Sequence, residues 1–143
     1  MKRNIVLTFL LPLLFLSCVH TSKSGLSGKI SVNLKEENNK LIIDFYNKTN
    51  KEISIPIYYL FDDDMLYNNY FIVMDSKDNK AEYSGIIADF WIIDYKSLPK
   101  HEKITNEINL QDFYEIKPNE NYKVQYSFSG LKSNTIDFIL HEN

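Results

Sequence analysis

The stretch Lys29–Asn47, KISVNLKEENNKLIIDFYN, decides the fold. In its first part Ile30, Val32 and Leu34 alternate with Ser31 and Asn33, the period of two that lines one face of a half-buried strand with apolar side chains. The last part repeats the pattern, with Leu41, Ile43 and Phe45 set against Asp44. Between them Asn38 and Asn39 supply a turn, because asparagine tolerates the left-handed backbone that a tight turn requires. Two strands joined by a polar turn are expected.

The same period recurs along the chain. NKTNKE reads as a second polar turn, and in EISIPIYYL the residues Ile53, Ile55 and Ile57 share a face. Pro56 cannot donate to a ladder, so that strand belongs at an edge or carries a bulge. Tyr70 to Met74 and Ala81 to Ile87 read as two strands around a turn at Asp75 to Lys80, and Lys103 to Leu110 alternates through Ile104, Ile108 and Leu110. ADFWIIDYKSLPKHEK fits either a short strand or a helical turn. QDFYEIKPNENY is a corner, and Tyr122 to Phe128 and Thr135 to Leu140 alternate most strongly. Seven to nine short strands without a long helix predict an all-β antiparallel sandwich, with a small barrel as the alternative.

The first residues follow a different logic. Met1, Lys2 and Arg3 precede an uncharged stretch, Asn4 to Val19, whose apolar heart is Ile5 to Leu16. That heart falls short of the roughly 20 residues of a membrane span, and Pro12 interrupts it as a core helix. A basic head, an apolar run and a small residue before the break are the parts of an export signal. Phe15-Leu16-Ser17-Cys18 resembles the lipobox of bacterial lipoproteins. The resemblance implies cleavage after Ser17 and diacylglycerol attachment to the Cys18 thiol, with several acyl chains giving a durable membrane anchor. Val19 in the following position resembles lipoproteins passed on to an outer membrane, where the cell has one. The expected organisation is a signal peptide over 1–17, a lipidated tether over 18–28 and a folded domain over 29–143. VHTSKSGLSG, as a flexible coil, spans about 18 Å.

Removing Lys2 and Arg3 leaves 14 basic residues against 19 acidic ones, a formal charge of −5 on the exported chain. Arg3 is the only arginine. Without a guanidinium fork, and with a net acidic surface, nucleic-acid binding is excluded. Cys18 has no second cysteine to pair with, so the domain must fold without disulfides.

A second resemblance concerns Ser97 to Gly130. Leu98-Pro99 opens a polar loop, a strand ends in Ile108-Asn109-Leu110, Tyr114 follows, and after a turn comes Tyr122-Lys123-Val124-Gln125-Tyr126. This quarter of the chain resembles the noncatalytic β-sandwich segment of deuterolysin-like and lysine-specific metalloendopeptidases, and Ig-like modules of exported bacterial proteins. The resemblance implies an Ig-like sandwich in which Tyr122 is a tyrosine corner, its hydroxyl tying a loop to the next strand. The His-Glu-x-x-His hallmark of the peptidases is absent, so zinc proteolysis is not carried over.

Motifs for chemistry are sparse. His20, His101 and His141 have no ligand spacing, and the acidic runs Asp62 to Asp64 and Asp75 to Glu82 do not follow the EF-hand pattern, which leaves only calcium in a loop. No nucleophile elbow, phosphate loop or dinucleotide fingerprint occurs. No cofactor is expected. The unusual feature is aromatic: Tyr58, Tyr59, Phe61, Tyr67, Tyr70 and Phe71 surround an acidic loop, and Phe90, Trp91 and Tyr95 follow. Most such rings fill a core. Exposed, Tyr58, Tyr59, Tyr67, Tyr70 and Trp91 would form a partner-binding patch. Asn47-Lys48-Thr49 matches a glycosylation sequon by chance. The expected role is noncatalytic binding of a protein or envelope partner by a membrane-anchored lipoprotein in the bacterial cell envelope, with the oligomeric state left open. The alternatives are an inhibitor or immunity lipoprotein acting on a secreted hydrolase, and an enzyme with an unrecognised site.

Overall fold

A computed structural model describes residues 25–61, 66–87 and 94–142. The expected signal peptide, Cys18 and most of the expected tether lie outside the described residues. Eight strands follow in order: β1 (Ile30–Glu37), β2 (Lys40–Asn47), β3 (Ile53–Pro56), β4 (Phe71–Asp75), β5 (Tyr95–Leu98), β6 (Lys103–Ile108), β7 (Asn121–Phe128) and β8 (Leu131–Ile139). Single 3-10 turns occur at Ile57–Tyr59 and Leu110–Asp112. The molecule is an all-β sandwich of antiparallel sheets ordered β1-β2-β6, β3-β5 and β4-β7-β8. The two three-stranded sheets use strands as the A-B-E and C-F-G sheets of an Ig-like domain do.

Hairpin chemistry sets the register. Asn38 and Asn39 both have positive φ and close the β1–β2 hairpin, with Glu37 opposite Lys40. Ser129 and Gly130 do the same between β7 and β8, with Phe128 opposite Leu131. Two consecutive left-handed residues make the tight turn whose twist matches that of the flanking strands. The registers bring Ile30, Val32 and Leu34 of β1 and Leu41, Ile43 and Phe45 of β2 into the core, where they meet Val124, Tyr126 and Phe138 of the facing sheet. Phe45 packs edge-on to Tyr126, with ring centroids 5.4 Å apart. Between Gln125 and Ser127 the β7–β8 register shifts, and the Tyr126 N–H donates to Ser133 Oγ at 2.9 Å instead of to the ladder.

Beyond the ladders, β1 and β8 are joined by side chains. The Leu34 N–H donates to Asn134 Oδ1 at 2.7 Å, and Asn134 Nδ2 donates back to the Leu34 carbonyl at 3.0 Å. Further along, Asn39 Nδ2 donates to the His141 carbonyl at 2.9 Å, and the His141 N–H donates to Asn39 Oδ1 at 3.0 Å. Leu34 faces Asn134 and Asn39 faces His141, so the two strands run in the same direction along this seam. Each carboxamide offers one donor and one acceptor, which reproduces what a neighbouring backbone would present.

Two segments depart from the alternation. Ile57 leaves the face of Ile53 and Ile55 because the chain winds into a 3-10 turn directly after Pro56, and its side chain is 39% exposed. The span 81–87 is not a strand, since its backbone bonds are divided between two partners. The Ala81 N–H donates to the Val73 carbonyl, whereas Ser84 and Glu115 pair across to Phe113 and Glu82, leaving an isolated bridge at Tyr83 and Tyr114. Ile86 and Ile87 end the segment 80% and 65% exposed.

Candidate functional site

The aromatic cluster is mostly core, as expected for most of its rings, and Tyr59 and Tyr70 are thereby removed from the candidate partner-binding patch. Pro56 ends β3, and the turn that follows directs Tyr59, Leu60 and Phe61 inward, where all three are buried. Tyr59 packs against Phe128 at 5.4 Å, and the fully buried Tyr70 packs against the same ring at 4.6 Å. A partner cannot reach the Tyr59 or Tyr70 ring without opening the domain. Tyr58 is half-buried, its ring 4.9 Å from that of Tyr59. Tyr67 is also half-buried. Trp91 lies outside the described residues.

The tyrosine hydroxyls hold loops in place. Tyr70 Oη donates to the Tyr58 carbonyl at 2.7 Å, Tyr126 Oη to the Tyr59 carbonyl at 3.2 Å, and Tyr59 Oη to Ser129 Oγ at 2.8 Å. Tyr114 Oη donates to Asn69 Oδ1 at 2.7 Å and accepts the Phe71 N–H at 3.1 Å. Burial pushes Tyr70, Tyr114 and Tyr126 far above the ordinary phenol range, so all three are neutral donors at physiological pH. Tyr122 Oη accepts the Lys117 N–H at 2.9 Å, tying the loop before β7 to that strand's second residue.

Carboxylates are likewise engaged. Asp75 accepts from Asn79 Nδ2 at 2.9 Å and from the backbone N–H groups of Asn79 and Lys77, each at 2.8 Å. These bonds, the Asn79 side chain foremost, hold it below the usual carboxylate range. Burial alone would raise Asp44. Hydrogen bonds from Lys103 at 2.8 Å and Thr105 at 2.6 Å, with the charges of Lys103 and Lys35, outweigh that and lower it. Among the described residues no group of three histidines, cysteines or carboxylates is placed to hold a metal. His101 sits beside Asn50 and Tyr46, whereas His141 sits beside Asn39 at the far end of β1. His20 and Asp62 to Asp64 lie outside the described residues.

Comparison with protein-family models finds no match, and comparison with curated proteins finds none. The geometry must therefore carry the reading. Eight residues of β1 separate the two ends of the sandwich by about 25 Å. At the end where β1 begins, Asn47 is fully buried and organises the turns on either side of it. Its Nδ2 reaches the carbonyls of Lys51 at 2.9 Å, Leu98 at 3.0 Å and Pro99 at 2.9 Å. Its Oδ1 accepts the Thr49 N–H at 2.9 Å and hydroxyl at 2.7 Å. A sugar cannot be attached to an amide so enclosed, and the Asn-Lys-Thr stretch is a side-chain-capped turn. An asparagine and a threonine two apart just after a strand were the signal for it.

The opposite end carries an open concavity of about 730 Å³ between the β1–β2 turn, the residues after β6 and the end of β8. Its walls are polar, with Glu36, Asn38, Asn39, Gln111, His141 and Glu142 among them. Sequence periodicity could not assemble it, because its residues come from four separate segments of the chain.

Proposed function

We propose that this chain is a lipoprotein held at a membrane by Cys18, and that its Ig-like domain binds a protein or envelope partner without catalysis. The observation that carries the reading is the polar concavity at the pole opposite the tether, about 25 Å of strand away from it. An anchored domain presents that pole outward. The disposition of the reactive side chains supports the same reading. The buried tyrosines are neutral structural donors, and Asp44 and Asp75 are held in their charged form by structural bonds. Neither pattern is that of a group tuned near neutrality for proton transfer.

The outward pole holds Glu36, Glu37, Asp112, Glu115, Glu120 and Glu142 against Lys35, Lys40 and Lys117, of which Lys35 pairs with Glu37 and Lys117 with Glu120. This acidic surplus favours a basic partner, as an inhibitor or immunity lipoprotein facing a secreted hydrolase would meet. The test is photo-cross-linking in intact cells, with the reactive residue at Gln111 in one variant and at Lys48 in another. A discrete adduct from Gln111 and none from Lys48 is expected; the same adducts from both positions would overturn the assignment of the outward pole. For the anchor, Cys18→Ser should abolish acyl labelling and membrane fractionation, and unchanged labelling would refute it.

A further inference from the structure

The tether pole has a charge opposite to that of the rest of the molecule. The Lys48 N–H donates to the Lys29 carbonyl at 2.9 Å, which places the first turn of the domain beside the turn after β2. Asn47 then ties that turn to Lys51 on one side and to Leu98 and Pro99 on the other. His101 Nε2 lies 3.1 Å from Asn50 Oδ1, closing the ring of loops. This framework brings together Lys29, Lys48, Lys51 and Lys100, all exposed, with His101 beside them. Among the described residues of these turns Glu52 and Glu102 oppose them, and Lys103 and Asp44 neutralise one another at 2.8 Å. Four lysines against two glutamates give +2 at this pole, whereas the rest of the exported chain has 10 basic residues against 17 acidic, or −7.

We infer that the tether pole is a membrane-facing surface, on which Lys29, Lys48, Lys51 and Lys100 rest against anionic phospholipid headgroups and orient the domain. The inference rests on the lipid-anchor reading above and adds to it the way the domain stands. Residue 25 begins the described chain at this pole, and the tether that precedes it holds the pole within about 18 Å of the bilayer. A tether this short lets the pole come within a Debye length of the surface, where lysines gain from its negative potential, while the acidic opposite pole is repelled. An acyl anchor fixes the protein to the membrane but not its tilt. A basic face next to the anchor fixes both. Asn47 makes this face rigid, since it holds the two turns that carry Lys48, Lys51 and Lys100, and the Lys48 N–H joins the Lys29 turn to them.

The experiment uses the full acylated chain on two kinds of vesicle, one of phosphatidylcholine alone and one with about 30 mol% phosphatidylglycerol. Flotation with the uncharged vesicles reports the anchor by itself. Amine-reactive labelling, read lysine by lysine by mass spectrometry, reports the pole. Lys29, Lys48, Lys51 and Lys100 should label at least about threefold more slowly on anionic vesicles than on uncharged ones, with Lys77 and Lys117 at the opposite pole unchanged, and about 0.5 M salt should remove the difference. In a K48E/K51E/K100E variant, which alters exposed side chains only, Lys29 should lose its protection while flotation persists. Equal labelling of the four lysines on both vesicle types overturns the inference. A chain that does not float with uncharged vesicles overturns instead the anchor on which it rests.

Discussion

Asparagine carboxamides close this sandwich in two places, and water treats them differently. At the tether pole Asn47 is wholly buried, and its amide serves five backbone and side-chain groups. Along the β1–β8 seam Asn134 and Asn39 make equally short bonds, but Asn134 is exposed and Asn39 only half-buried. In the first case the amide itself is shut off from water, and its bond to the Leu98 carbonyl is fully buried. In the second, solvent competes for every bond. The difference teaches that geometry alone does not set the worth of a hydrogen bond, because what matters is what replaces it.

Replacement of Asn47 is the strongest way to break the comparison. Asn47→Leu removes the buried bond to the Leu98 carbonyl and the acceptor of the Thr49 N–H and hydroxyl, and a loss of about 3 kcal/mol is expected. Urea unfolding followed by tryptophan fluorescence would measure it, and a loss no larger than that of the seam variants would erase the distinction. Tyr114→Phe comes next, since it strips the Phe71 N–H of its acceptor inside the core. About 2 kcal/mol is expected, read as a lower midpoint with an unchanged slope. Asn134→Ala should cost about 1 kcal/mol, because water satisfies the released Leu34 groups, and Asn39→Ala should add to it with little coupling in a double-mutant cycle. A larger loss would show that the seam is drier than its exposure indicates.

The smallest effect concerns Asp44 on the outer face of the β1-β2-β6 sheet. Its folded-state pKa lies below the ordinary 3.8 of the unfolded chain, so its contribution is present above about pH 4 and is lost as pH falls through the folded value. Asp44→Asn should therefore flatten the acid limb of stability against pH, by less than about 1 kcal/mol at this partly screened site. A wild-type acid limb identical to that of the variant would remove Asp44 from the account.

Much of the fold was legible because strands with one buried face write their geometry into the sequence. Ile30, Val32 and Leu34 are buried as their alternation requires, and Asn38 and Asn39 have the left-handed backbone that the turn needed. The segment after Pro56 was not legible in the same way. A face shared by Ile53, Ile55 and Ile57 presumes a continuous strand, and the 3-10 turn rotates Ile57 away from it. The span 81–87 alternates as a strand does, yet its backbone is split between β4 and the corner at Tyr114. Alternation records which side chains face inward, and it does not record whether one partner runs alongside.

The candidate site divides on the same line. The aromatic residues around Tyr58 to Tyr70 were visible as a cluster, but a ring in a core and a ring on a surface have the same letter. Packing against Phe128 decided for Tyr59 and Tyr70. The sequence by itself determined the strand-rich class, the acidic balance, the confinement of arginine to position 3 and the turn at Asn38-Asn39, since each depends on residue type or on spacing of a few positions. Only the tertiary structure decided that Asn47 is a buried hub, that the first and last strands meet through two asparagine side chains, and that lysines from residues 29 to 100 gather at one pole. Those properties arise where distant segments meet, and hydrogen-bond partners, burial and local charge exist only once they have met.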